Sequence, residues 1–188
     1  KEIFFYIYAV LHHPEYREKF QNNLIKQLPR IPFPKTKKIF EEMSEYGLML
    51  SDLHVKYEEV EKFKCNFKQG DLRLSNINNP KTFYRVEKMR FKNKKDKSNI
   101  IYNENISIQD IPPQAYDYIV NGRSAIEWVM DRQIVRKNEA SGIINDANDY
   151  ANETMNNPAY PLELLQRIIT VSLETMNIVK SLPKLDID

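Results

Sequence analysis

Near its middle the chain reads Ile100-Ile101-Tyr102-Asn103-Glu104-Asn105-Ile106-Ser107-Ile108. Two β-prone runs here flank three polar residues, a pattern that predicts strand, turn and strand. Asparagine suits the turn because it tolerates positive φ. The stretch therefore predicts an antiparallel hairpin at the centre of the molecule.

The sequence on either side of this hairpin extends the predicted sheet. Upstream, Phe83–Phe91 is rich in aromatic and long polar residues and predicts a strand, with Asn93–Lys97 as a polar connection. Downstream, Tyr118–Val120 predicts a further short strand, ended by Asn121-Gly122. The middle of the chain is therefore expected to be mainly β.

Both ends of the chain predict helices. Ile3–Leu11 is apolar nearly all round and predicts a buried helix, and a longer helix is expected from about Lys35 to Glu61. Ser124 and Glu127 have capping-box spacing, and Pro161 is expected to open a final helix. The prediction is an α+β fold, with a small antiparallel sheet flanked by helices from both ends of the chain. We predict a helical segment over 1–61 and an α+β domain over 62–188.

Charge is distributed unevenly although the formal net charge is only +2. Residues 1–61 hold nine basic and ten acidic groups, residues 62–97 hold twelve and three, and residues 98–188 hold seven and thirteen. A concentration of cations on a β-prone segment that also carries Asn and aromatic residues favours a polyanionic partner, most plausibly nucleic acid.

Several kinds of chemistry find no support in the sequence. The four glycines are never closer than twenty residues, which argues against a phosphate-cradling loop, and no acid has Lys two positions later as a common nuclease motif requires. Cys65 is the single cysteine, which fits a reducing cytoplasm, and a structural metal is not expected. No run of 18 apolar residues predicts a membrane span.

The segment Asn157-Pro158-Ala159-Tyr160 superficially matches the loop that adenine amino-methyltransferases use on a flipped base. The third position differs, however, and no glycine-rich cofactor loop precedes it. We interpret the segment as a turn followed by the start of a helix.

Four segments resemble one family. Tyr8–Arg17, Leu28–Phe33, Asn121–Arg132 and Ile169–Thr175 are similar to stretches of the C-terminal specificity domain of Type ISP restriction-modification enzymes, with Type IIG enzymes a more distant resemblance. The resemblance covers nearly the whole chain. It implies a target recognition domain that presents duplex DNA to an N6-adenine methyltransferase lying upstream on one polypeptide, with a nuclease and a helicase-like motor.

The resemblance also implies that this chain has no catalytic residues and no cofactor of its own. S-adenosylmethionine, Mg²⁺ and ATP are expected for the longer enzyme. The absence of an initiator Met leads us to expect that the chain is a fragment of that enzyme. Its expected partners are double-stranded DNA and the upstream methyltransferase and helicase-like domains.

The candidate DNA-binding residues come from side-chain chemistry. Lysines and arginines suit phosphates, whereas Arg, Asn and Gln suit base edges. We predict contacts from Arg73, Asn76, Arg85, Lys88, Arg90, Lys92, Lys94, Lys95, Lys97 and Asn99, with Asn78, Asn79 and Asn93 as further candidates for base reading.

Two alternatives remain open at this point. The chain could be a helical protein-docking domain with only non-specific nucleic-acid affinity. It could instead bind RNA or single strands, which would require exposed rings such as Tyr84, Phe91 or Tyr102.

Overall fold

A computed structural model describes residues 1–72, 77–93, 95–185 and 187. The described chain divides into two compact units, of which the first comprises residues 1–57 and 174–188 and the second comprises residues 58–173. The functional division predicted at residue 61 stays a prediction. None of the helices in the described residues is long and apolar enough to cross a membrane.

The first unit is helical. Its elements are α1 (Glu2–His12), α2 (Pro14–Lys19), α3 (Gln21–Leu24), α4 (Lys37–Val55) and the last turns of α8 (Tyr160–Lys180). The side chain of Thr36 accepts a hydrogen bond from the Ile39 amide and so caps the start of α4. The helix predicted over residues 35–61 therefore exists but ends at Val55.

Helices α1 and α4 pack closely. A Cβ atom on Gly47 would lie only 1.8 Å from the carbonyl oxygen of Phe5, so no larger residue fits there. Ser44 donates a hydrogen bond to the carbonyl of Glu2 at 3.2 Å. The inner face of α1 is buried as predicted, but Ile3 and Phe4 are exposed, so the prediction of burial all round is wrong.

The second unit is α+β, as predicted. Among its described residues, β1 (Asn66–Phe67), β4 (Ser107–Gln109), β3 (Ile100–Ile101) and β2 (Arg90–Phe91) form an antiparallel sheet in that order. Two small ribbons pair β5 (Ile119–Val120) with β6 (Arg123–Ser124), and β7 (Arg136–Lys137) with β8 (Ile144–Asn145). The helices of the unit are α5 (Pro80–Phe83), α6 (Ala125–Arg132), α7 (Ala147–Asp149) and the first part of α8.

The central hairpin predicted at residues 100–108 is confirmed. Phe91, Ile100 and Ile108 lie side by side across β2, β3 and β4. They belong to the core that also includes Ile126 of α6 and Leu165 of α8. The alternation of the strands therefore sends one face of the sheet into the helices, while Ile101, Ser107 and Gln109 on the other face are only partly buried.

The strand predicted over Phe83–Phe91 is wrong except at its last two residues. Pro80 stands at the first turn of α5, and the Asn79 side chain accepts a hydrogen bond from the Thr82 amide at 3.2 Å. An asparagine cap followed by proline starts a helix, which takes in Phe83, the first residue of the predicted strand. Further along the chain, residues 138–157 contain β8, α7 and a π-helical turn over Tyr150–Thr154.

Candidate nucleic-acid interface

Four exposed cations lie just before β2, on β2 and in the turn after it: Lys88, Arg90, Lys92 and Lys95. We call these four residues the basic strip. Between its first three members lie Met89, which is buried, and Phe91, which packs against the core. Because side chains alternate across a strand, Lys88, Arg90 and Lys92 share its outer side.

The basic strip lies at an edge of the sheet. Strand β2 pairs only with β3 among the described strands, and Lys92 extends this pairing because its amide donates to the carbonyl of Asn99 at 3.0 Å. Within the described chain, no member of the strip has an ion-pair partner. Apart from a longer-range attraction between Lys92 and the Asp96 carboxylate, its positive charge is therefore available to an external anion.

Side chains of the chain itself shape the turn that carries the end of the strip. The Lys95 amide donates to Oδ1 of Asn93 at 3.0 Å, and the Ser98 amide donates to Oδ1 of Asp96 at 2.9 Å. Hydrogen bonds from Ser98 keep the pKa of Asp96 below its ordinary value, so the carboxylate stays charged. Asn93 thus holds the turn, in addition to any role as a base reader.

Arg85 and Lys97, two further predicted DNA-binding residues, have internal partners instead. Arg85 pairs with Glu87 at 2.7 Å and with Asp146 at 2.8 Å. Lys97 pairs with Glu127 at 2.8 Å and also lies over the rings of two aromatic residues, Phe91 and Tyr116. Arg85 and Lys97 are therefore held by ion pairs within the second unit, whereas, in the part of the chain that the structure describes, the side chains of the basic strip are not.

The acidic partners of these two cations are held in their charged forms. Burial acts to raise the pKa of Asp146, but hydrogen bonds from Asn148 and Arg85 outweigh it and lower that pKa. Burial also acts to raise the pKa of Glu127, but hydrogen bonds from Lys97 and Ser124 outweigh it and lower that pKa. Both ion pairs are therefore present at neutral pH.

The remaining predicted residues are placed as follows. Asn99 lies half-buried, and its side-chain amide donates to Ser98 at 2.8 Å. Asn79 caps α5, and Asn78 is exposed. Three candidates, Arg73, Asn76 and Lys94, lie outside the described residues.

Sequence reasoning missed a second group of cations, beside α6. Arg90 and Arg123 line one shallow cavity of about 300 Å³ together with the carboxylates of Glu127 and Asp131. Asp131 pairs with Arg123 at 3.8 Å, so part of this charge is neutralised. The cavity shows that the basic strip and the start of α6 share one surface.

Trp128 is the aromatic centre of this second group. The guanidinium groups of Arg123 and Arg132 lie 5.4 and 5.6 Å from its ring, and its indole N–H donates to the Val120 carbonyl at 2.7 Å. Arg132 is four residues after Trp128, a spacing that places both side chains on one side of a helix. That spacing was the signal available in the sequence.

Comparison with known proteins decides the family. Residues 1–164 match the model of the Type ISP C-terminal specificity domain. The chain belongs to this family. A search of curated proteins finds no match.

Solved structures agree with the assignment. The chain is 40% identical, with a TM-score of 0.83, to a nuclease-deletion mutant of the Type ISP restriction-modification enzyme LlaGI in complex with a DNA substrate mimic, over 100% of this chain and 14% of that one. It is 36% identical, with a TM-score of 0.83, to the ATP-dependent Type ISP enzyme LlaBIII bound to DNA, over 98% and 11%. It is 30% identical, with a TM-score of 0.74, to DrdV in a DNA complex, over 99% and 18%. The specificity domain thus spans less than a fifth of the chains that it resembles.

The aromatic residues proposed for single-strand binding do not form an open stacking surface in this specificity domain. Tyr102 is fully buried and donates a hydrogen bond to the Tyr84 carbonyl at 2.7 Å, and burial raises its pKa. Tyr84 and Phe91 are partly buried and pack against the core. The geometry disfavours recognition by base stacking on the sheet.

The Asn157-Pro158-Ala159-Tyr160 segment is a turn and a helix start, as predicted. Oδ1 of Asn157 accepts from the Ala159 amide at 3.1 Å, and its Nδ2 donates to Glu163 at 3.0 Å. The asparagine is therefore occupied in starting α8. Across the described residues of the specificity domain, no group of three or more His, Cys, Asp and Glu side chains is arranged to hold a metal ion.

Proposed function

We propose that this chain recognises specific sequences in duplex DNA and that the basic strip holds the DNA backbone. The observation that carries the proposal is the basic strip itself, which has exposed cations and no internal ion-pair partners among the described residues. Membership of a family of specificity domains and similarity to enzymes solved with DNA support it.

The arrangement of the strip suits phosphates. Lys88, Arg90 and Lys92 are at alternate positions, so neighbouring side chains are separated by about 7 Å and can reach different phosphates of one DNA strand. Contacts of this kind fix the position of the duplex without reading its sequence. Arg85 and Lys97 support the surface from inside through their ion pairs.

The recognition would serve a longer enzyme. We propose that an N6-adenine methyltransferase, a helicase-like motor and a nuclease belong to the same polypeptide, and that S-adenosylmethionine, Mg²⁺ and ATP act there. In this arrangement residues 1–61 follow the methyltransferase and residues 62–188 recognise the target. The protein would work in the bacterial cytoplasm, in keeping with the free thiol of Cys65.

Charge reversal of the strip tests the proposal. The triple variant K88E/R90E/K92E should bind a random 30-base-pair duplex roughly a hundredfold more weakly at low salt, because three phosphate contacts become repulsive. The slope of log affinity against log salt should also fall by about three. Fluorescence anisotropy of labelled duplex measures both quantities.

A matched control changes the same charge elsewhere. The variant K26E/K37E/K38E reverses three exposed lysines of the first unit and alters net charge equally. It should change affinity less than about threefold. An equal loss of affinity in both triple variants would mean that the strip contributes only through net charge. Unchanged affinity in K88E/R90E/K92E would place the interface elsewhere.

A further inference from the structure

The ribbon of β7 and β8 lies in the longest continuous run of exposed residues among the described residues of the second unit. Residues 136–145 are all exposed, including two large apolar side chains, Ile143 at 61% and Ile144 at 59%. A two-stranded ribbon gains little stability by itself in water. Exposed isoleucines at such a ribbon therefore point to a partner.

The ribbon is nevertheless well formed. Arg136 lies opposite Asn145, and Lys137 lies opposite Ile144. At its tip, Oδ1 of Asn138 accepts hydrogen bonds from two successive amides, of Ala140 and Ser141, each at 3.0 Å. The tip closes through Gly142, which has a φ of +71° and whose amide donates to the Asn138 carbonyl at 2.7 Å. Such a tip presents its side chains in a fixed arrangement.

Both ends of the ribbon are anchored on one short segment, residues 85–87. The Val135 amide, just before β7, donates to the Glu87 carbonyl at 3.0 Å. Just after β8, Asp146 pairs with Arg85 at 2.8 Å. Because the basic strip begins at the next residue, the ribbon starts directly beside it.

The back of this anchor is buried. The side chain of Asn148 accepts from the Val86 amide at 2.9 Å and donates to the Val86 carbonyl at 2.8 Å. Both residues are almost fully buried. The position of the ribbon relative to the basic strip is therefore set by several hydrogen bonds.

We propose that the ribbon enters the major groove of duplex DNA held by the basic strip. This inference depends on the proposed function and assigns the base-reading element within it. The major groove admits a two-stranded β-ribbon, and thymine methyl groups there accept apolar contacts. Lys137 and Ile144 lie opposite each other and share one face of the ribbon, so Ile144 supplies an apolar contact there and Lys137 reaches a guanine edge. Ile143 lies just before β8 and adds a second apolar side chain toward the tip.

Arg136 does not take part in base reading, because its side chain already has an ion-pair partner. Its guanidinium pairs with Asp131 at 2.7 Å, which holds it at the base of the ribbon. Lys137 has no ion-pair partner within the described chain. The strand register therefore separates a supporting cation from one that faces the partner.

Selection from a randomised duplex library tests the inference with the variant I143S/I144S. Both positions are exposed, so folding should be preserved. Affinity for random duplex should change less than about threefold, because phosphate contacts remain. The sequence preference of the unmodified chain should weaken at one or more thymine positions. Replacing those thymines by uracil, which removes only the methyl group, should weaken wild-type binding about fourfold for each methyl group and leave the variant unaffected.

The test includes a control variant, and four outcomes would contradict the inference or the proposed function. L48S/M49S changes two comparably exposed apolar residues of α4 and should keep the wild-type preference. A preference unchanged in I143S/I144S would overturn the ribbon inference while leaving DNA recognition intact, and so would thymine-to-uracil substitution without effect. A wild-type chain that binds duplex with no preference would overturn both the reading role of the ribbon and the recognition of specific sequences. Failure of the wild-type chain to bind any duplex would overturn the proposed function itself.

Discussion

Helix α4 and the basic strip both present lysines to solvent, but the lysines at the start of α4 form ion pairs and, among the described residues, those of the strip do not. In α4, Lys37 pairs with Glu41 at 3.2 Å, and Lys38 pairs with Glu42 at 3.7 Å. A helix places residues four apart side by side, so opposite charges meet locally. A strand places every second residue on one side, and the basic strip fills those places with cations alone. The same residue type is thus locally balanced in one region and available to a partner in the other.

The two regions also differ in how they are supported. Helix α4 packs through a glycine, because Gly47 brings its backbone against that of Phe5. Strand β2 is supported by side chains, since Met89 and Phe91 anchor it to the core between exposed cations. We infer that α4 is mainly a packing element and that β2 presents a surface.

The strongest test of this difference is Gly47→Ala. The new Cβ would overlap the Phe5 carbonyl, so α1 and α4 must separate, and we expect a loss of more than about 3 kcal/mol in the free energy of unfolding. Urea unfolding followed by circular dichroism measures it. Leu48→Ala, at a half-exposed neighbouring position, should cost less than about 1 kcal/mol. A similar small cost for both variants would contradict the close packing.

The structural features that could be predicted from the sequence are those formed by residues close together in the chain. The hairpin around Asn103 was predictable because alternating isoleucines flank a polar turn, and its Oδ1 does accept two amides of that turn, from Asn105 and Ile106. The Ser124–Glu127 capping box was also predictable, and both of its hydrogen bonds form. These features depend on residues within a few positions of one another.

The features that could not be predicted depend on contacts between residues far apart in sequence, or on exposed segments without a hydrophobic pattern. Pairing between Arg85 and Asp146 joins residues 61 positions apart, so sequence alone grouped Arg85 with the basic strip. The ribbon over 136–145 has no buried side, and hence no alternation to reveal it. Lys88, Arg90 and Lys92 were placed correctly on an exposed surface because their charge and spacing are local.

A second test addresses the support of the basic strip. Asn148→Ala leaves the buried amide and carbonyl of Val86 without their partner, and we expect a loss of about 2 kcal/mol in the free energy of unfolding. Thermal and urea unfolding measure it, with Asn177→Ala at an exposed position of α8 as the near-neutral control. Equal stability of the two variants would mean that the segment before the strip is held by other contacts.

The smallest expected effect is a pH dependence confined to the first unit. His54 lies between the Tyr8 hydroxyl at 2.7 Å and the Thr175 hydroxyl at 2.8 Å. Burial, and then the nearby His12, lower its pKa to about 4, whereas the unfolded chain takes up the proton near pH 6.5. The folded state therefore favours neutral His54, and its contribution to stability is present above about pH 6.5 and is lost progressively as pH falls toward 4.

We expect the wild-type chain to lose about 1 kcal/mol more than His54→Gln between pH 7 and pH 5, after allowing for the partial exposure of the ring. Urea unfolding at both pH values measures the difference. Burial also lowers the pKa of His12, which acts in the same direction, so some slope should remain in the variant. Parallel stability profiles for the two proteins would show that His54 titrates alike in the folded and unfolded chain.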